Sequence, residues 1–307
     1  MKKKSFAAFV VLIVCVVGLN AQTHDLKYKL KKGQDYKFYQ ETKMNITQSL
    51  GIIEQEIKNE FKGITRFTPV SNEGSNIVLS TAFETMIINI ESMMFNINYD
   101  SSKPIKPEDK IANIYNGIIG KDFTVVITPQ GRVVRIDGID EMIDDAVRAL
   151  GSTDSKVAMQ MKKTLSSHFG KEALTGNMEM LLSIYPAKAK RVGESWSTDT
   201  KLTSALKANL SNNWTLVNAS NKQWRMHGKG NITTLGEEAI MNGMKMSFNL
   251  KGKQNAEFVV SQEDGWFISG KQNQNIEGTV SMKGNAQLPQ GMEIPMTVTS
   301  TTILEKR

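Results

Sequence analysis

Hydrophobic positions along the chain follow two different periods, and the longer one is confined to the middle. Ile139, Met142, Ile143, Ala146, Val147 and Leu150 recur every three or four residues, the spacing of one helical stripe, while Asp140, Glu141, Asp144, Asp145 and Arg148 take the opposite face. The acidic residues crowd the first turn, where the helix dipole favours negative charge. Gly151 to Asp154 then supplies a stop and N-cap candidates, and a second stripe, Val157, Met161, Leu165 and Phe169, runs to Gly170. A third short helix is predicted from Lys171 to Ile184, closed by Pro186. The region of about 139–185 therefore reads as a helix cluster, and both flanks read as strand.

Upstream, Leu26–Leu30 and Tyr36–Gln40 alternate around Lys32-Gly33-Gln34, which predicts a strand, a turn and a strand. Ile53, Ile57 and Phe61 alternate with charged residues, as in a sheet with one wet face. The run Ile77 to Tyr99 is apolar on both sides and too long for one flat strand, so two strands meeting at a bend or one long bent strand is expected. Ser101–Asp109 reads as a loop. Phe123–Ile127 and Arg132–Ile136 flank Thr128-Pro129-Gln130-Gly131, whose proline and glycine suit a type I turn. Downstream, turn signals every ten residues or so separate eight predicted strands: 195–202, 213–218, 223–227, 244–250, 256–262, 266–271, 276–282 and 296–304. Glu263-Asp264-Gly265 is the clearest hairpin turn among them.

Amphipathic helices must bury their stripes, and the surface on offer is the sheet made by the flanks. The expected fold is α+β and mainly antiparallel β: a strongly curved, half-barrel-like sheet wrapped around a central helix cluster, since a flat sheet of that width would leave a face bare. Residues 22–307 would form one β-rich domain with a helical insertion at about 139–185; the alternative is two β halves, 22–136 and 187–307, linked by the helices.

The N-terminus changes the picture of where this domain works. Lys2-Lys3-Lys4, an apolar run from Phe6 to Val17 and Gly18-Leu19-Asn20-Ala21 make a secretory signal, with cleavage expected after about Ala21. The apolar run is shorter than the roughly 20 residues of a membrane-spanning helix. Cys15 follows Leu12-Ile13-Val14, whereas lipidation calls for a small residue directly before the cysteine; the expectation is an exported protein in the periplasm or outside the cell, not lipidated and with no transmembrane segment after cleavage. Losing Lys2, Lys3 and Lys4 lowers the formal net charge from +7 to +4. The remaining lysines are scattered, which gives no nucleic-acid-binding patch and leaves peripheral contact with an anionic membrane as a weakly motivated option.

Candidate chemistry is sparse. His24, His168 and His227 lie far apart, with no zinc-binding spacing, so no metal or other cofactor is expected. Gly193-Glu194-Ser195-Trp196-Ser197 lacks the second glycine of a nucleophile elbow and precedes a strand. Asp140/Glu141 and Asp144/Asp145 are explained as the wet face of a helix, and Glu237/Glu238 has no partner to set a dyad distance. No catalytic residue is assigned and no enzymatic activity is expected. Methionine is the remaining signal: flexible thioethers in the helices and facing strands can line an adaptable apolar cavity as well as fill a core. The cavity-lining candidates are Met86, Ile88, Met93, Met142, Ile143, Val147, Met161, Leu165, Phe169 and Met178.

Four short signatures complete the reading: Tyr28–Tyr36, Pro129–Val133 leading to Ile136-Asp137-Gly138, Val192–Trp196, and Ile294–Val298. Together they resemble a family of exported bacterial proteins of unknown function, common in Bacteroidetes, with no assigned catalytic residues to transfer. The outline of strands around helices is also similar to the half-barrel of periplasmic lipoprotein carriers and lipid-carrier lipoproteins. Function does not follow from that outline; the Met-rich facing surfaces and the absence of catalytic groupings are what lead to the expectation of a lipid or other apolar or amphiphilic small molecule as partner, held between sheet and helices. The alternative expectation is an envelope scaffold that binds a macromolecule through its outer β face.

Overall fold

A computed structural model describes residues 22–307 apart from 52, 107, 151–153, 203–206, 242–243 and 285–289. The predicted signal, Cys15 and most of the predicted stop at Gly151 to Asp154 lie outside the described residues.

Thirteen strands form one open antiparallel sheet. They are β1 (Tyr36–Leu50), β2 (Ile53–Glu73), β3 (Asn76–Ser92), β4 (Asn96–Asp100), β5 (Phe123–Ile127), β6 (Val133–Asp137), β7 (Ser195–Leu202), β8 (Ala208–Ser220), β9 (Gln223–Thr234), β10 (Glu238–Met241), β11 (Met244–Ser261), β12 (Phe267–Met282) and β13 (Met292–Lys306). Four helices, α1 (Lys110–Asn116), α2 (Ile139–Arg148), α3 (Ser155–Phe169) and α4 (Lys171–Leu182), interrupt them. The main path runs β6-β5-β3-β2-β1-β13-β12-β11-β9-β8-β7, with β4 beside β3 and β10 beside β11. The first and last strands meet at its centre: Phe38–Gln48 pair with Lys306–Met296, so both flanks of the helix cluster belong to one sheet.

Curvature follows from where the edges end. β6 and β7 are the two ends of the path, yet α4 packs against both. The sheet therefore curls until its edges face one helix, and α4 fills the seam between them. Edge strands need their free backbone groups covered. Here the Val133 N–H of β6 donates to Glu179 Oε1 of α4 (3.1 Å), and Arg132 Nη2 donates to the Asp199 carbonyl of β7 (3.2 Å).

One end of the curl is plugged by aromatic rings. Trp266 is fully buried and meets Tyr28, Tyr36, Phe38, Phe67 and Phe267 at centroid distances of 5.4 to 6.1 Å. Tyr28 and Tyr185 donate their hydroxyls to the Leu182 and Gly265 carbonyls, and burial raises both phenol pKa values well above normal, which keeps them as donors. The turn at Thr128–Gly131 forms as predicted, closed by the Gly131 N–H to the Thr128 carbonyl (2.8 Å). Gly131 has φ 91°, and a Cβ there would come within 1.9 Å of the Leu182 carbonyl oxygen, so the position admits only glycine.

Three expectations need correction. Leu26–Leu30 is not a strand. Leu26 and Tyr28 are buried as their alternation implies, but the segment bonds loops instead, through the Tyr28 N–H to Pro129 and the Lys29 N–H to Asp264. Secondly, the predicted pairs 244–250 with 256–262 and 266–271 with 276–282 are single strands, β11 and β12. The intervening residues read as turns because they are polar on both faces. Thirdly, α1 follows the predicted 101–109 loop unannounced. Asp109 caps it by accepting from the Ala112 N–H (3.0 Å), but seven residues rich in Ile and Asn carry little helical signal. The run from Ile77 resolves into two strands, β3 and β4, joined through Ser92–Asn96.

Candidate functional site

Pairing register decides which side chains share the inner face of the curl. Thr42 on β1 lies opposite Thr302 on β13, which lies opposite Gln272 on β12. Ser300 lies opposite Gln274, Gln274 opposite Gln254 on β11, Gln254 opposite Gly230 on β9, and Gly230 opposite Asn212 on β8. Residues paired this way face the same side. A polar belt therefore crosses the middle of an inner face that is apolar on either side: the aromatic plug lies at one end, and Leu210, Ile232, Leu250, Ile276, Val280 and Ile294 lie toward the other.

Hydrogen bonds tie the belt together. Gln254 Nε2 donates to Asn212 Oδ1 (3.0 Å), and Gln254 Oε1 accepts from both Gln272 Nε2 and Gln274 Nε2, the latter at 2.7 Å. Thr42 and Thr302 share a hydroxyl hydrogen bond of 2.9 Å, and Gln40 Nε2 donates to Thr42 (3.1 Å).

Between this belt and the helices lies a cavity of about 390 Å³. Its sheet wall comes from β1, β2, β3, β12 and β13. Its helix wall comes from Tyr115 of α1, His168 and Phe169 at the end of α3, and α4 from Leu174 to Leu181. Phe61, Phe83, Ile88, Ile90, Met178 and Met180 make most of the remaining surface apolar. The volume falls in the lower part of the roughly 300–1,000 Å³ range of small-molecule sites. His168 keeps solvent contact at the rim, and desolvation of its inner side lowers its pKa. A larger hollow of about 600 Å³ sits on the outer face, lined by Thr47, Glu54, Lys251, Glu277 and neighbours. It is lined by charged and polar side chains together with Pro295 and Met296, carries less apolar surface than the inner cavity, and is the weaker site for an apolar molecule.

The structure brings Ile88, Phe169 and Met178 to the cavity wall. Met86, Met142, Ile143 and Leu165 are instead buried in the solid core, and Val147 and Met161 pack against that core. Met93 departs furthest from its expected place: it is 76% exposed beside Met94 and Phe95 in the β3–β4 turn. Sequence reasoning missed Phe38, Phe61, Asn177 and the belt itself. Residues 271–275 and 300–302 are polar at every position, so no alternation marked the inward members.

The motifs considered for catalysis have structural explanations. Ser195 Oγ pairs with Thr215 Oγ1 (2.8 Å) at the start of β7, and Trp196 donates to the Ile184 carbonyl (2.9 Å). Asp144 and Asp145 bond Lys162 (2.5 Å) and Lys121 (3.1 Å), and Glu238 pairs with Lys283. Among the described residues, no three His, Cys, Asp or Glu side chains are placed to hold a metal ion, and no helix is long and apolar enough to cross a membrane.

Comparison with curated proteins finds no match. Among solved structures, lipovitellin is similar over 90% of this chain and 25% of its own, with 8% identity and a TM-score of 0.48. An outer membrane channel from Pseudomonas putida F1 is similar over 92% and 98% of the two chains (5% identity, TM-score 0.28), and a LolA superfamily protein from Nitrosomonas europaea over 88% and 84% (7% identity, TM-score 0.12). The chain thus spans a quarter of lipovitellin, and likenesses this distant carry no functional argument. The sequence match is firmer: residues 74–267, more than half of the chain, fit the model of a family of unknown function, DUF6263, and the protein belongs to that family.

Proposed function

We propose that this DUF6263 protein is an exported, non-catalytic binding protein that holds an apolar or amphiphilic, lipid-like small molecule between its curved sheet and its helices. The observation that carries the proposal is the cavity of about 390 Å³, walled mainly by apolar side chains and crossed on its sheet side by uncharged amides and hydroxyls. Amides and hydroxyls bind by hydrogen bond, and the surrounding Met, Phe and Ile side chains offer a surface to hydrocarbon. The outer face favours the scaffold reading less. It carries ion pairs such as Lys37–Glu84 (2.8 Å), Arg66–Glu84 (3.3 Å) and Lys62–Glu60 (3.0 Å) where a protein-binding patch would be apolar.

Titration with the neutral fluorescent probe N-phenyl-1-naphthylamine tests the proposal. Saturable binding near one per chain, abolished by the cavity-filling variant Ile88→Trp, is the expected result. Absence of saturable binding, or binding unchanged in Ile88→Trp, overturns it.

A further inference from the structure

Resting on the cavity as the binding site, we infer that the ligand's polar end is uncharged and donates a hydrogen bond to the belt, with Gln272 Oε1 as the acceptor: a single-chain amphiphile bearing a hydroxyl or amide N–H. Three observations converge on this. Among the described residues, no Lys, Arg, Asp or Glu lines the cavity. A carboxylate, phosphate or ammonium drawn inside would lose its hydration with no permanent opposite charge to compensate, since desolvation lowers the pKa of His168 in the wall and favours its neutral form. A charged head is therefore disfavoured within the belt.

Gln272 borders the cavity, is only 4% exposed, and its Oε1 is buried with no hydrogen-bond partner. Such an orphan is uncommon in folded proteins and calls for a partner. The orientation of its amide is set by the network. Met180 Sδ can only accept, so Gln274 turns its Nε2 toward it (3.5 Å). The same Nε2 donates to Gln254 Oε1, which makes Gln254 the acceptor for Gln272 as well, and the group of Gln272 left without a partner is its oxygen rather than its nitrogen. An acceptor without a partner selects a donor.

Size completes the description. A volume of about 390 Å³ suits one hydrocarbon chain or a small aromatic probe rather than the two chains of a diacyl lipid.

Displacement of N-phenyl-1-naphthylamine by 1-dodecanol, its methyl ether and laurate tests the inference on the mature wild-type protein. The alcohol is expected to bind about three- to tenfold more tightly than the ether, the size of one net hydrogen bond, and more tightly than laurate at pH 8. Gln272→Leu should bring alcohol and ether together. Equal affinity for alcohol and ether in the wild type, or tighter laurate, overturns the inference while leaving the cavity reading intact. An unchanged alcohol preference in a folded Gln272→Leu protein moves the acceptor elsewhere and refutes the assignment to Gln272. Failure of the probe itself to bind sinks the cavity reading and the inference together.

Discussion

If α4 closes the seam of the sheet, removing Glu179 should open it. Glu179 is 9% exposed, and its Oε1 accepts the Val133 N–H at 3.1 Å with Arg132 Nε 4.0 Å away. Burial raises its pKa, against the lowering by the Val133 hydrogen bond and Arg132. Glu179→Ala removes the acceptor and leaves an edge-strand N–H unpaired. A hydrogen bond to a charged group is worth about 1.5–3 kcal/mol, and relief of the buried carboxylate returns part of it, so a loss of about 1–2 kcal/mol is expected at pH 7. Glu179→Gln keeps an acceptor oxygen without the charge and should stay within about 0.5 kcal/mol of wild type or exceed it. The pH dependence separates the two effects. Because the folded pKa is raised, the proton on Glu179 supports the folded state fully below the unfolded value of about 4.3, and that contribution is lost as pH rises through the folded value. Wild type should therefore lose stability relative to Glu179→Gln across that window. Urea unfolding followed by the four tryptophans, all buried in the fold, reads both quantities. Equal stabilities for the Ala and Gln variants, with no difference in pH slope between Gln and wild type, would refute the role given to α4.

Other expectations follow from the same geometry. Gly131→Ala places a methyl in the Leu182 carbonyl and a side chain at φ 91°, and should cost about 3 kcal/mol or more in urea melts; a neutral result would contradict the close approach of this turn to α4. Trp266→Ala should lose about 3–5 kcal/mol by emptying the centre of the aromatic plug, checked by thermal unfolding. A triple Met93→Ser, Met94→Ser, Phe95→Ser change should leave stability within about 0.5 kcal/mol, because those side chains are exposed. Gly230→Ala sets a methyl 2.2 Å from Asn212 Oδ1 and should weaken binding of 1-dodecanol by displacing the belt.

Much of this architecture is written in the period of the apolar residues. α2 and α3 follow stripes whose partners lie three and four positions away, so local spacing suffices. The alternation at Ile53–Phe61 likewise marks β2 without knowledge of its neighbours. β11 and β12 resist such reading for the reason that makes the site: Gln254, Gln272 and Gln274 occupy inward positions, and a polar inward residue breaks the alternation just as a turn would. Only the register reveals that these breaks line up into one belt. The methionine signal failed at Met93 because composition weighs residues without placing them; the hairpin leaves that side chain in solvent. The seam was similarly hidden, since Glu179 meets Val133 across 46 positions of chain and neither stands out locally.

Native mass spectrometry of the protein purified from its own host, under conditions that preserve non-covalent contacts, bears most directly on the central claim. The account predicts a bound single-chain, uncharged amphiphile near one per chain, missing from Ile88→Trp. A bare polypeptide mass for wild type, or the same adduct on the cavity-filled variant, would contradict it.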